Sequence, residues 1–156
     1  MEKTNVMRLL TQKKIPFEPF GFETEEAKSG VEAAKILGVD PKFVFKTLVT
    51  TGRSGTHYVF VIPVAEELDL KKVAAASGEK SVEMLKAKDL LPLTGYVHGG
   101  CSPIGMKKQY RSVFDSSALD CETIVVSAGK IGAQVELSPE ELIRLTRGAT
   151  AAVTKE

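Results

Sequence analysis

Most of the features that identify a chain on sight are missing from this one. It has only two cysteines, Cys101 and Cys121, and they form no CxxC and no ligand spacing with His57 or His98. A structural metal site therefore has nothing to build on. A disulfide and a pair of reduced thiols both stay open, with reduced thiols the simpler expectation for a cytoplasmic protein. Neither sign of charge dominates: 21 basic residues against 20 acidic ones give a net charge of +1. That excludes a general basic coat, so a polyanion could be met only through a local patch. No apolar run approaches membrane-spanning length, and MEKTNVMRLLTQKKI lacks the continuous apolar centre of a signal peptide. The expectation is a cytoplasmic protein with no membrane partner. There is no GxGxxG, no Walker spacing, no internal repeat and no linker-like tract. Residues 1–156 are expected to form one domain. At 43% hydrophobic they can build a core without metal, cofactor or disulfide.

What is present reads as mixed helix and strand. Thr4 can cap a helix with Val6, Leu9 and Leu10 on one side, ending before Pro16. Phe17 to Phe22 is extended. Ser29-Gly30 precedes the helical VEAAKIL, and Gly38 suits a left-handed cap. Val44–Thr51 and His57–Pro63, rich in β-branched and aromatic residues, flank GRSG as a β-hairpin. Asp69 can cap LKKVAAAS, which Gly78 ends. Ser81 can cap a second helix, VEMLKAKDLL, closed by Pro92 and Gly95. A strand end is expected at YVHGG, and strands at Arg111–Phe114, Thr123–Ser127 and Gln134–Leu137. Ser138, Pro139 and Glu141 have the look of a capping box on a last helix. The tail is a last strand or frays. The fold class is α+β, with a mixed sheet curled part-way to a barrel and flanked by helices.

Three stretches can carry chemistry. The first is FVFKTLV, residues 43–49. In a strand, Lys46 shares a face with Val44 and Leu48. Lysine is seldom buried without a partner, so this face meets either solvent or a cleft that takes an anion. The second is GGCSPIG, Gly99 to Gly105, which is either a tight connection or a loop presenting backbone amides to a carbonyl oxygen, carboxylate or phosphate. Lys107, Lys108 and Arg111 follow it, a charge run that is solvated or holds a nucleic-acid backbone. The third is SAGKIG, a glycine-flanked loop holding Ser127 and Lys130.

VFKTLV, GGCSPIG and VVSAGKIGAQVEL, in that order and spacing, resemble the YbaK family of free-standing aminoacyl-tRNA deacylases. That family is similar to the editing domain of bacterial prolyl-tRNA synthetase. The likeness runs from the first helix through ELIRLT and implies the editing-domain fold. It implies a deacylase of mischarged Cys-tRNA(Pro), with Cys-tRNA(Cys) a further substrate, acting without a cofactor. The implied catalytic positions are Lys46, Gly99, Gly100 and Cys101, the loop amides facing the aminoacyl ester. Phe20, Ser29, Gly30, Thr47, Ser102, Pro103, Ser127 and Gln134 are implied substrate-binding positions. Lys107, Lys108, Arg111 and Lys130 are implied contacts to the tRNA acceptor end. Prolyl-tRNA synthetase is an implied candidate partner. The chemistry implied is substrate-assisted: the cysteine thiol attacks its own ester carbonyl. Ser29 and Gln134 depart from relatives that carry an aromatic and an acidic residue, which bears on selectivity.

Three alternatives stand beside this. Cys101 could itself be a nucleophile served by His98, although a strand through His98 turns it to the opposite face. The protein could bind tRNA ends or a synthetase without catalysis. Or it could deacylate Ala-tRNA(Pro), whose amino acid has no thiol. His57 is expected at the surface, and Cys121 without a role.

Overall fold

The computed structural model describes residues 3–23 and 28–155. It is an α+β fold. Helix α1 is Asn5–Gln12, with Thr4 Oγ1 accepting the Met7 amide at 3.3 Å. Strand β1 (Glu18–Gly21) and helix α2 (Gly30–Leu37) follow. The hairpin is β2 (Phe45–Gly52) and β3 (His57–Pro63). Helix α3 is Leu70–Ser77, capped by Asp69 and closed by left-handed Gly78, as the sequence predicts. The chain continues through β4 (Val82–Met84), α4 (Ala87–Thr94), β5 (Arg111–Asp115), β6 (Ile124–Lys130) and β7 (Ala133–Leu137). Helix α5 (Pro139–Thr146) and the short strand β8 (Ala149–Ala151) complete it.

The strands fall into two sheets rather than one curled sheet. One is β1-β7-β6; the other is β4-β2-β3-β5-β8, mixed because β3–β5 and β5–β8 run parallel. An isolated parallel bridge, Val44 to Val125, joins them. Between the sheets lies the larger core, in which Phe45, Val49, Val59 and Val61 meet Val126 and Val135, with Val6, Leu10 and Leu142 at its helical borders. The far face of β3, through Phe60 and Ile62, packs on Val73 of α3. Each such side chain contributes about 1.5–3 kcal/mol by leaving water.

Two expectations are corrected. Ser81 caps no helix: its carbonyl accepts the Arg53 amide at 2.9 Å, and Val82–Met84 pairs with Thr50–Gly52. The open edge of β2 outweighs the helical pattern of that segment. The helix begins only at Ala87, Lys86 supplies no side-chain cap, and Pro92 lies inside it. The capping box forms fully at Ser29 and Glu32, whose side chains each bond the other's amide at 3.1 Å. At Ser138, Oγ accepts the Glu141 amide at 3.4 Å.

Candidate functional site

A cleft of about 580 Å³ opens beside β2, a volume in the range of small-molecule sites. Its position follows from the shortness of β4. That strand covers β2 only from Thr50 onward, and the Leu85 amide adds one bond to the Val49 carbonyl at 3.0 Å. Between the Val44 bridge to β6 and that point, no described strand pairs with this edge of β2. The cleft runs along this edge, which is why six consecutive residues, Val44 to Val49, all line it. Opposite stand the start of α2, Leu85, Ala87 and Leu90, the turn at His98–Gly99, Cys101, and Ser127 with Gln134.

Lys46 reaches this cleft half-buried, and its Nζ donates to the Val64 carbonyl at 3.2 Å. Burial pushes its pKa below that of an ordinary lysine, against the pull of Glu67 and Glu66 toward the charged form. The cleft reading of Lys46 therefore stands over the solvated one. Gly30 lets α2 close on the side chain of the same Val64: a Cβ there would fall 2.3 Å from Val64 Cγ1.

The 99–105 loop is divided in its roles. Gly99 has φ +87°, a conformation that favours glycine, and it lines the cleft with Cys101. The amides of Gly99 and Cys101 make no hydrogen bond among the described residues. The Gly100 amide is engaged: it donates to the Val97 carbonyl at 3.0 Å. Gly100 packs against the β6–β7 turn, where a Cβ would sit 3.1 Å from the Ile131 nitrogen. Ser102 is fully buried, with Oγ accepting the Ile104 amide at 3.2 Å, and Pro103 is buried beside it. Neither lines the cleft.

Cys101 is 8% exposed, and burial pushes its thiol up to about 12, against a smaller opposing hydrogen bond from Thr94. His98 lies in a turn, not a strand, and lines the cleft with Cys101 instead of facing away.

Ser127 and Gln134 pair across β6 and β7 and both line the cleft. Ser127 Oγ accepts the Gly129 amide at 3.1 Å, which leaves its proton free to donate. Gln134 is 8% exposed, and its side-chain amide has no protein partner among the described residues. Ser29 and Gly30 line the cleft; Phe20, paired with Gln134 on β1, does not.

The basic residues separate. Lys107 and Lys108 are exposed, Lys108 over the Tyr110 ring at 5.8 Å. Lys130 is exposed at the end of β6. The Arg111 guanidinium is turned to the end of α3, donating to the Ser77 and Ala76 carbonyls at 3.2 Å each. Sequence reasoning missed Lys28, Leu85 and Leu90 as cleft residues.

Among the described residues, an apolar hollow holding the desolvated Lys46, the free amides of Gly99 and Cys101 and no charged acid–base pair suits the handling of an acyl ester. The comparisons agree with that class. The aminoacyl-tRNA editing domain family matches residues 24–145, and this chain belongs to it. EbsC of Enterococcus faecalis, a protein named as a Cys-tRNA(Pro)/Cys-tRNA(Cys) deacylase, is 49% identical over 154 residues, 98% of this chain and 94% of that protein. The proline–tRNA ligase of Thermosipho melanesiensis is 33% identical over 83 residues, 53% of this chain but 14% of the ligase. The crystal structure of a hypothetical protein, APE2540, matches with TM-score 0.88 at 27% identity, covering 99% of this chain and 100% of that one. A structure described as a trans-editing enzyme for prolyl-tRNA synthetase shares the fold: TM-score 0.83, 23% identity, 97% and 95% covered.

Proposed function

We propose that the protein is a trans-editing deacylase that frees mischarged tRNA, with Cys-tRNA(Pro) as its favoured substrate and Cys-tRNA(Cys) open to the same chemistry. The observation that carries this reading is the meeting of the Lys46 ammonium with the free amides of Gly99 and Cys101 on one apolar cleft. The cleft has room for an aminoacylated terminal nucleoside and not for a tRNA helix, so only the acceptor end enters.

The bound cysteinyl ester reacts with itself. Its sulfur bonds to the ester carbonyl carbon, the carbon–oxygen bond to the ribose breaks, and the thiol proton ends on the ribose oxygen. The products are a cyclic thiolactone, which water opens, and tRNA with a free terminal hydroxyl. Intramolecular attack replaces a separate nucleophile. The protein supplies the fixed charge of Lys46 and the Gly99 and Cys101 amides for the developing oxyanion. Gly100 takes no direct part, its amide being engaged. Ser127 and Gln134 read the aminoacyl group. Lys107, Lys108 and Lys130 hold the acceptor backbone, in the cytoplasm, and prolyl-tRNA synthetase is the candidate partner.

The test is deacylation of Cys-tRNA(Pro), Cys-tRNA(Cys) and Ala-tRNA(Pro) side by side. Rapid release of cysteine with alanine left in place supports the reading. Equal release of alanine would show that no thiol is needed, and tight binding without release would make the protein a non-catalytic binder.

A further inference from the structure

We infer that Thr47 grips the substrate through its main chain, as a strand partner for the amino-acid moiety. The inference rests on the deacylase reading and identifies what in the cleft recognises an α-amino acid.

The phase of the β2–β3 ladder fixes which way each backbone group points. Val64 donates to the Val44 carbonyl at 2.9 Å, and Gly52 donates to the Thr56 carbonyl at 2.8 Å. Both are partners in one antiparallel register. Hydrogen-bonded pairs alternate along such a ladder. Even-numbered residues of β2 therefore bond to β3, and odd-numbered residues turn both N–H and C=O to the other edge. The Val49 carbonyl confirms the phase by accepting Leu85 from that edge. At Thr47 no described strand pairs with the edge: β4 starts opposite Thr50, and the bridge to β6 is at Val44. Thr47 lines the cleft. Its Oγ1 is also the one buried side-chain polar atom among the described residues that has no hydrogen-bond partner. Among the described residues, Thr47 thus carries a backbone donor and acceptor that no strand pairs with and a buried hydroxyl that nothing meets, a rare state for a buried polar atom.

An α-amino acid has the complementary pattern. Its ammonium can donate to the Thr47 carbonyl while its carbonyl oxygen accepts the Thr47 N–H, the two bonds of a hydrogen-bonded antiparallel pair. The carbonyl's second lone pair stays available to the Gly99 and Cys101 amides. The pair recognises the free α-amine common to all aminoacyl-tRNA, leaving side-chain choice to Ser127, Gln134 and the apolar wall.

The probe is 3′-(L-2-aminobutyrylamino)-3′-deoxyadenosine, in which an amide replaces the ester and a methyl group the thiol. Its partner is the butyryl analogue, which lacks only the α-amine. With the ¹⁵N-labelled protein, the first should move the Thr47 amide proton downfield and slow its exchange at least tenfold. The second should bind at least tenfold more weakly. Thr47→Pro should weaken the aminobutyryl analogue at least tenfold; its missing N–H faces away from β3, so no ladder bond is lost. If other cleft amides such as Gly99 and Ser127 respond while Thr47 does not, or if both analogues bind equally, the clamp is refuted and the deacylase reading survives. If no cleft amide responds, both fail.

Discussion

Cys101 is the only thiol in the cleft, and removing it gives the sharpest test of who attacks the ester. With its thiol pushed up to about 12, roughly one molecule in 10⁵ carries the thiolate at pH 7. A substrate cysteine near the ordinary value of about 8.5 is ionised to a few per cent. The substrate's own sulfur therefore has more than a thousandfold advantage in thiolate before geometry is considered. Cys101→Ser and Cys101→Ala should each keep Cys-tRNA(Pro) deacylation within about threefold of the parent. Losing one small buried group costs about 1 kcal/mol, not enough to unfold a domain of this size. The assay is single-turnover release of cysteine from pH 6 to 9.5, with the spontaneous rate at each pH subtracted. Substrate attack bends the profile near pH 8.5. Attack by Cys101 would keep it rising tenfold per unit through 9.5. A loss above a hundredfold in both folded variants, or an unbent profile, would refute the argument.

Four further outcomes follow from the same geometry. Lys46→Met should lower deacylation by at least a hundredfold while leaving the melting temperature level or slightly raised, because burial disfavours the ammonium it removes. The sign of the pH effect follows. The folded-state pKa lies below that of the unfolded chain, so the parent's penalty is full at low pH and fades as pH rises toward 10.5; the melting-temperature gap should shrink over that window. Gly30→Ala should cost about 1–3 kcal/mol in urea unfolding and slow catalysis, since its methyl would meet Val64, whose carbonyl holds Lys46. Arg111→Ala should cost about 1 kcal/mol of stability through the freed Ala76 and Ser77 carbonyls, with little change in tRNA affinity. The double change of Lys107 and Lys108 to Ala should weaken tRNA binding and flatten its salt dependence, with stability unchanged.

The parts of this fold legible in the sequence are those set by neighbours along the chain. The β2–β3 hairpin, the Asp69 cap with Gly78, and Pro139 after Ser138 all obey rules that reach four residues or fewer. The misread parts depend on distant residues. Arg111 looks like a nucleic-acid contact until two carbonyls 34 and 35 positions earlier claim its guanidinium. His98 looks like a strand residue facing away from Cys101, but Gly99 with its positive φ puts it in a turn on the cleft. Lys46 could be recognised as anomalous but not as free or bound, because Val64 lies eighteen residues on.

The largest misreading and the site itself have one cause. Val82–Met84 has the pattern of a helix start, yet it pairs with β2 for three residues and no more. Had the pairing run on, it would have sealed the edge at Thr47 and left no cleft. Had the helix begun at Val82, β2 would have lost its neighbour at Thr50 as well, and the groove would have had no end wall. The switch at Lys86, from strand to a helix without a side-chain cap, carries the chain away from the sheet so that Ala87 and Leu90 become the facing wall. A weakly specified boundary is therefore what makes room for substrate. Local propensity failed to predict it because propensity has no term for an edge that must stay open.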